Sequence, residues 1–513
     1  MQENGRKPFM QYLRDWKSID TMIIYRLERM RKMVKDIVMN VENRVSKIWK
    51  MVLILSALAV MAVCLFYSAN DGLWMLPLVY AACFWGVISV KKVPCCNIAV
   101  IIILAILYIR DVILPFFYYE FNSVQNIDIS AENAAYLQCY STNLFHNVSV
   151  ITIMSLETIA IFGTLYFCSK RYTKRNLEQE GEEAGQMQRI GVVAVPFILA
   201  GIIVFLRQPR NSGIYDMIHN LWWDFVPSSM ESILFDVATV LIAVVLINYV
   251  GVIGKQKCGI AFSVSVIIWL TFCVEAAVGT LNAGTISRWA FVINFIIGYA
   301  MLLKMYPQYT KIFTLVMGIG GAACIVLSSV VKSYSINDLL TYRMLNAYFA
   351  GPSGMAYAVE MVKSGNYDIN IVTLFCDMLG NVPVINHFLP EKISSVRYYN
   401  QVIYGNTITI DQIIPYSGEW YGYFSYAGVV LGNVVACFWA IKFAFMVRKE
   451  KNLLMVYALM YISVLFSICT IININIVFQY LSIRVFPIFV IACADKLISK
   501  LIKGRINRGS KCK

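Results

Sequence analysis

The chain has 513 residues, 59% of them hydrophobic and only 14% charged, with a mean hydropathy of +0.64. That balance excludes a soluble globular domain and implies an all-α polytopic membrane protein. A net charge of +14 would suggest nucleic acid in a soluble protein; here the positions of the charges account for it, and no nucleic-acid partner is expected.

Residues 1–50 place Met22, Ile23, Ile24, Leu27, Met30, Met33, Val34 and Ile37 among Arg26, Arg29, Arg31, Lys32 and Lys35. This spacing predicts a basic amphipathic helix lying on the inner membrane surface. The first apolar run follows about fifty polar residues, so it reads as an uncleaved anchor. Twelve apolar runs follow, at 51–67, 73–90, 98–114, 149–167, 190–206, 233–250, 260–276, 289–303, 312–331, 423–445, 453–472 and 476–494. A helix needs about 20 such residues to cross a hydrocarbon core of roughly 30 Å, so each is a predicted span. Spans one to nine occupy 51–331, a polar stretch rich in Tyr, Asn, Gly and Ser occupies 332–422, spans ten to twelve occupy 423–497, and a basic tail closes the chain at 498–513.

With a cytoplasmic N-terminus, 34 of the 44 Lys and Arg fall on the inner side. The positive-inside rule then places both termini in the cytoplasm and the long 332–422 loop outside. The inner stretch 170–189 reads as a solvated charge run. Of fourteen cysteines only Cys139 and Cys376 fall in outer loops; they either pair or, as expected, serve as small buried side chains. In the long loop, Asn337 is positioned to cap a helix over 338–349 and Ser353 one over 354–363, with Gly351 and Pro352 between them. Both helices are expected to lie on the outer membrane face, and 381–418, which shows no clear period, is expected to be irregular.

The ten outer basic residues comprise seven Arg and three Lys, whereas the inner ones comprise 12 Arg and 22 Lys. Topology alone does not select Arg. A ligand with bidentate anionic groups does, because guanidinium offers a fixed fork of donors, and a diphosphate is such a ligand. Arg484 sits deep in the last predicted span, three residues before Pro487, where a charge is expensive and usually functional. Arg288 opens the eighth span, where guanidinium and helix amides meet an anion together. Arg110, Arg210 and Arg343 complete the candidate diphosphate-binding set. For each, pairing with a carboxylate is the competing reading, and for Arg110 the adjacent Asp111 is an available partner. Glu419, just before span ten, is either a catalytic carboxylate or a residue placed by the helix dipole, and the glycines near it read as helix-packing positions. Of the three histidines, His146, His219 and His387, the last stands in the long loop. It is either a base for a sugar hydroxyl or incidental. No Asp-x-Asp occurs in an outer loop, and no Walker, GxSxG or HExxH motif occurs anywhere. A metal-dependent glycosyltransferase is therefore disfavoured, and neither metal nor cofactor is expected.

Taken together, these features resemble the bacterial oligosaccharide repeat unit polymerases, the Wzy-type O-antigen and capsule polymerases. The resemblance rests on about twelve spans with a large late loop and on Gly284, Thr285, Ser287 and Arg288 opening a span. It rests also on Arg343 followed after ten residues by Gly354, and on Pro415, Gly418, Glu419, Tyr421, Phe424 and Gly428 leading into the next span. It covers residues 280–431, and the remainder only by topology. The resemblance implies a GT-C-like helical fold in the bacterial cytoplasmic membrane. It implies transfer of a growing glycan from undecaprenyl diphosphate onto a lipid-linked repeat unit at the outer face. Arg288, Arg343 and Arg484 would then bind the diphosphate, and Glu419 or His387 would orient or deprotonate the acceptor hydroxyl. Membrane lipid, a flippase and a chain-length regulator are the partners implied. An O-antigen ligase shares the loop, Arg and His and stays open as an alternative, as does a lipid-linked oligosaccharide flippase or other transporter.

Overall fold

The computed structural model describes residues 48–67, 71–88, 98–120, 146–177, 190, 193–219, 230–253, 259–278, 288–310, 313–314, 342–380, 382, 385–389, 394–406 and 412–509. The fold is all-helical, 89% helix with no strand among the described residues. An apolar chain that leaves water must satisfy its backbone amides within each segment, and a helix does so.

The helices, in chain order, begin with α1 (Ile48–Tyr67), α2 (Met75–Ile88) and α3 (Ile98–Tyr108). A π-turn at Ile109–Ile113 carries α3 into α4 (Leu114–Glu120). Then come α5 (Asn147–Leu177), α6 (Ala194–Arg207), α7 (Gly213–Ile218), α8 (Met230–Ile253), α9 (Gly259–Val278) and α10 (Arg288–Met305). The long-loop region supplies α11 (Tyr342–Phe349), α12 (Pro352–Lys363), α13 (Ile371–Leu379) and α14 (Ser395–Tyr404). Last are α15 (Tyr416–Lys449), α16 (Leu453–Ser467) and α17 (Ile474–Tyr480), the last continuing through a second π-turn at Leu481–Val485 into α18 (Phe486–Gly509).

Seven of these segments are long and apolar enough to cross a membrane, and α2, α6, α10 and α16 are shorter apolar helices. Eleven of the twelve predicted spans thus coincide with apolar helices, while 312–331 lies almost wholly outside the described residues. The predicted amphipathic helix of 1–47 lies outside them as well, and α5 runs through Leu177, past the start of the predicted charged loop.

The core centres on α16, whose faces are nearly all buried, against α3, α8, α10, α15 and α18. Apolar burial between spans gains little when the alternative is lipid, so close packing and internal hydrogen bonds hold the bundle. Ser463 Oγ donates to Ala440 O at 2.8 Å, fastening α16 to α15. Asn452 begins α16, accepting the amides of Leu454 and Met455 at 3.0 and 3.2 Å, and its own amide nitrogen donates to Asp495 Oδ2 of α18.

Three expectations for the long loop are corrected. The predicted 354–363 helix begins at Pro352, with Gly351 as its N-cap and no side-chain cap; Ser353 lies inside it, buried. Proline's fixed φ suits a first helical position, and a Cβ on Gly351 would come within 2.4 Å of Asn346 Oδ1, so a larger residue there would have to displace the Asn346 side chain. Nor does α12 lie on a surface: most of it is buried against α5, α14 and α15. The 338–349 prediction survives as α11 over Tyr342–Phe349, with Asn337 outside the described residues. Within 381–418, expected to be irregular, stand a 3₁₀ turn at Ile385–Phe388, all of α14 and the first residues of α15. The helical period of α14 escaped detection because its buried face is made of Ser395, Tyr399 and Asn400 rather than aliphatic residues. Cys376 is a buried free thiol in α13, and Cys139 lies outside the described residues.

Candidate functional site

The head of α15 is broken. Phe424 and Ser425 leave helical geometry, with Ser425 at φ 56° and ψ −149°, a conformation that costs a non-glycine residue about 1–3 kcal/mol and recurs at functional sites. The short piece before the break folds back on the long one. Trp420 lies over Gly432, whose Cβ would stand 2.6 Å from the indole, and Tyr416 Oη donates to Gly432 O at 3.3 Å. On the other side Gly418 presses on α12, where a Cβ would meet that of Ala358 at 2.4 Å. The packing reading of these glycines therefore holds, although Gly428 and Gly432 receive part of their own helix's first turns rather than a second helix.

Held in this break is Glu419, completely buried. Its Oε1 accepts Ser395 Oγ of α14 at 2.9 Å, and its Oε2 accepts the backbone N–H of Ile474, the first residue of α17, at 2.8 Å. Glu419 thus satisfies one of the amides that a helix start leaves without a partner. A second buried carboxylate, Asp377 of α13, reaches the same serine. It accepts the Ser395 amide at 3.1 and 3.2 Å, Ser394 Oγ at 2.8 Å and Tyr423 Oη at 2.6 Å. Tyr423 lies one turn after Glu419 on the same helix and also approaches Ser395 Oγ at 3.5 Å. Four elements, α13, α14, α15 and α17, therefore meet on two carboxyl groups and one serine.

Among the described residues neither carboxylate pairs with a cation. Burial pushes the Asp377 carboxyl above the ordinary carboxylate range, against the Tyr423, Ser395 and Ser394 hydrogen bonds that favour its ionised form. Two carboxyl groups brought to one serine also repel when both are charged. With the Asp377 carboxyl raised, the network can hold a proton between hydroxyl and carboxyl groups that are already hydrogen-bonded to one another.

The candidate arginines are dispersed. Arg484 occupies the Leu481–Val485 π-turn, buried, with its Nε 3.0 Å from Asp236 Oδ2 of α8 and its guanidinium 5.3 Å from the Tyr480 ring centroid. Arg110 occupies the Ile109–Ile113 π-turn, equally buried; it pairs with Glu157 of α5 and donates to Ala350 O, at the end of α11, at 3.0 Å. The Arg110–Asp111 pair considered from the sequence is replaced by this one, and Asp111 accepts Thr158 Oγ1 at 2.6 Å. A π-turn widens the helix locally and re-aims its side chains, and such turns are frequent at functional sites. Arg210 is half-buried in the Pro209–Asn211 3₁₀ turn, two residues before Ser212, whose Oγ donates to buried Glu275 of α9 at 3.2 Å. Arg288 and Arg343 stand in the first turns of α10 and α11, with side chains outside those described. His387 stands in the Ile385–Phe388 turn with its side chain likewise outside. Of the other histidines, His146 Nε2 lies 2.6 Å from Glu360 Oε2 of α12, and His219 stacks on Tyr215.

Sequence reasoning found Glu419 but missed Asp377, Ser394, Ser395, Tyr423, Asp236 and Glu157. Signals existed for three: Tyr423 is four residues from Glu419 on one helix face, and Glu157 and Asp236 are carboxylates inside predicted spans, which need partners. Comparison of the chain with protein-family models, with curated proteins and with solved structures finds no match.

Proposed function

We propose that the protein is a metal-independent membrane glycosyltransferase that polymerises lipid-linked oligosaccharide repeat units at the outer face of a bacterial cytoplasmic membrane. The observation that carries this reading is the buried Asp377–Ser395–Glu419–Tyr423 network at the broken head of α15. Two of its members, Glu419 and Tyr423, belong to the 415–428 segment on which the resemblance to repeat unit polymerases rests. A hydroxyl of the acceptor repeat unit attacks the anomeric carbon of the glycan carried on undecaprenyl diphosphate. The carbon–oxygen bond to the diphosphate breaks, the electron pair leaves on the lipid diphosphate, and the hydroxyl proton passes to a base. The oxygens of Glu419 are engaged by Ser395 and Ile474, which suits it to hold the site's geometry, and His387, in the Ile385–Phe388 turn, is the residue this reading assigns as the base. Arg288, Arg343 and Arg484 are the residues this reading assigns to the leaving diphosphate, and at Arg484 the anion takes the place of Asp236. Opposite charge at the developing diphosphate stabilises the transition state without a metal. A flippase that delivers the repeat unit and a regulator of chain length are the partner classes such a reaction calls for.

Purified protein incubated with a lipid-linked repeat unit should yield a ladder of products without ATP or added metal. Single-step products only, or a requirement for ATP, would refute the assignment. Arg288→Lys and Arg484→Lys should each nearly abolish extension at normal membrane levels, since Lys lacks the bidentate fork.

A further inference from the structure

Helix α13 combines two unlike faces. Thr373, Leu374, Cys376 and Asp377 are buried, and Asp377 belongs to the carboxyl network. The opposite face is wholly apolar and open: Ile371, Val372 and Phe375 are 52%, 53% and 53% exposed. An aqueous loop does not keep such a strip uncovered; an apolar patch beside polar residues marks a membrane or partner contact.

The position of the helix decides between them. Asp377 ties α13 to Tyr423 in the first turns of α15, and α13 packs on α17, with Gly380 beside Asn475. These are the leading ends of two candidate membrane spans, Tyr416–Lys449 and Ile474–Leu501. The Glu419 to Ile474 hydrogen bond sets those two leading ends side by side at one level. A helix fastened there is tied to the break at Phe424 and Ser425, where the long piece of α15 begins, and to the first residues of α17. Its N-terminus is polar: Asn370 caps it, accepting the amides of Val372 and Thr373 at 2.8 and 3.4 Å, and also donates to Asp368. An amphipathic helix with a hydrated start and an apolar outer face, anchored at the ends of spans, is built to lie in the membrane interface.

We infer that α13 is an interfacial helix whose Ile371, Val372 and Phe375 insert among the acyl chains of one bilayer leaflet while its inner face presents Asp377 to the network at the head of α15. The surface takes bilayer lipid, and the inference stands apart from any assigned reaction.

The test is photo-crosslinking of the full-length protein in phospholipid nanodiscs, with p-benzoylphenylalanine replacing Phe375 or, separately, Val372. Ile267, exposed within the span Gly259–Val278, serves as the lipid-facing reference, and Asn366, exposed before α13, as the aqueous one. Lipid adducts at 372 and 375 should match those at 267 and exceed those at 366 at least about ten-fold. Adduct yields at 372 and 375 equal to those at 366 would overturn the inference, and so would crosslinks to a second copy of the chain in place of lipid. Two positions of different size guard against one variant failing to fold, which monodisperse elution would reveal.

Discussion

Buried charge is handled in two ways in this molecule. At the π-turns, Arg110 and Arg484 are each matched to one carboxylate, Glu157 and Asp236. At the head of α15, two carboxylates meet with no cation among the described residues and are held by hydroxyls and amides. A guanidinium stays charged at any accessible pH, so the first arrangement is a fixed clamp. Hydroxyl and amide donors tolerate either protonation state of a carboxyl group better than a missing counter-charge does, so the second can change state. The clamps lie where helices must hold their register, and the adjustable network lies where a span is broken.

The largest effect expected from this contrast comes from breaking a clamp on one side. Asp236→Ala leaves the Arg484 guanidinium buried and unpaired, and about 3–5 kcal/mol of stability should be lost. Thermal unfolding in detergent reads this directly. Arg484→Met combined with Asp236→Leu should recover most of it, because an apolar pair of similar volume often replaces a buried ion pair at little cost. A stable double variant that no longer extends glycan would show that Arg484 also serves the diphosphate; a stable and active one would confine it to the clamp.

The network should respond differently. Glu419→Gln turns one carboxylate oxygen into a donor facing either Ser395 Oγ or the Ile474 amide, at about 1–3 kcal/mol for the unmatched group. Asp377→Asn does the same toward Tyr423 or the Ser395 amide. Both variants should fold and both should extend glycan poorly, with the rate falling more than substrate affinity, because the groups position others rather than touch substrate. Stability losses as large as that of Asp236→Ala would erase the distinction between clamp and network.

How much of this was legible in the sequence follows from how far each interaction reaches along the chain. Span positions are local properties of composition, so eleven predicted runs fall on helices. Glu419 was legible because a carboxylate in the first turn of an apolar helix stands out. Asp377, which shares Ser395 with it, was not, because it lies 42 positions earlier in the chain, and nothing in the α13 segment announces that Asp377 faces inward. The Pro352 start of α12 was readable from Pro-at-N1 chemistry; a serine one position later drew attention to the wrong cap. The π-turns left no sequence mark at all, and with them went the reason why Arg110 meets Glu157 across the bundle rather than Asp111 beside it.

Two smaller effects sharpen the contrast further. Gly418→Ala should lose about 1–3 kcal/mol through overpacking, since its Cβ would collide with Ala358; a neutral result would mean that α12 is free to shift. Asp377 binds its proton more tightly folded than unfolded, because its carboxyl is raised by burial. Its contribution is therefore fully present below the ordinary carboxylate range and is lost as pH rises through the raised value. Unfolding midpoints of the wild-type chain should fall over that interval, and the Asp377→Asn variant should lack this slope.

The smallest effect belongs to a pair that resembles the clamps on paper. Glu450, just past the end of α15, pairs with Lys496 of α18, but Lys496 is a third exposed. Burial pushes the Glu450 carboxyl up, and the hydrogen bonds from Lys496 and from the amides of Asn452 and Lys451 outweigh it, leaving the group below its usual value. Its stabilisation is therefore present above the ordinary carboxylate range and is lost as pH falls, opposite in sign to Asp377. Water screens the pair, so Lys496→Ala should shift stability by less than about 1 kcal/mol, and raising the salt concentration should reduce that shift further. Asp236→Ala should show no such salt dependence, because its partner charge is buried. If the two variants responded to salt alike, burial would not be what separates a fixed clamp from a surface pair, and the contrast drawn between the π-turns and the head of α15 would have to rest on geometry alone.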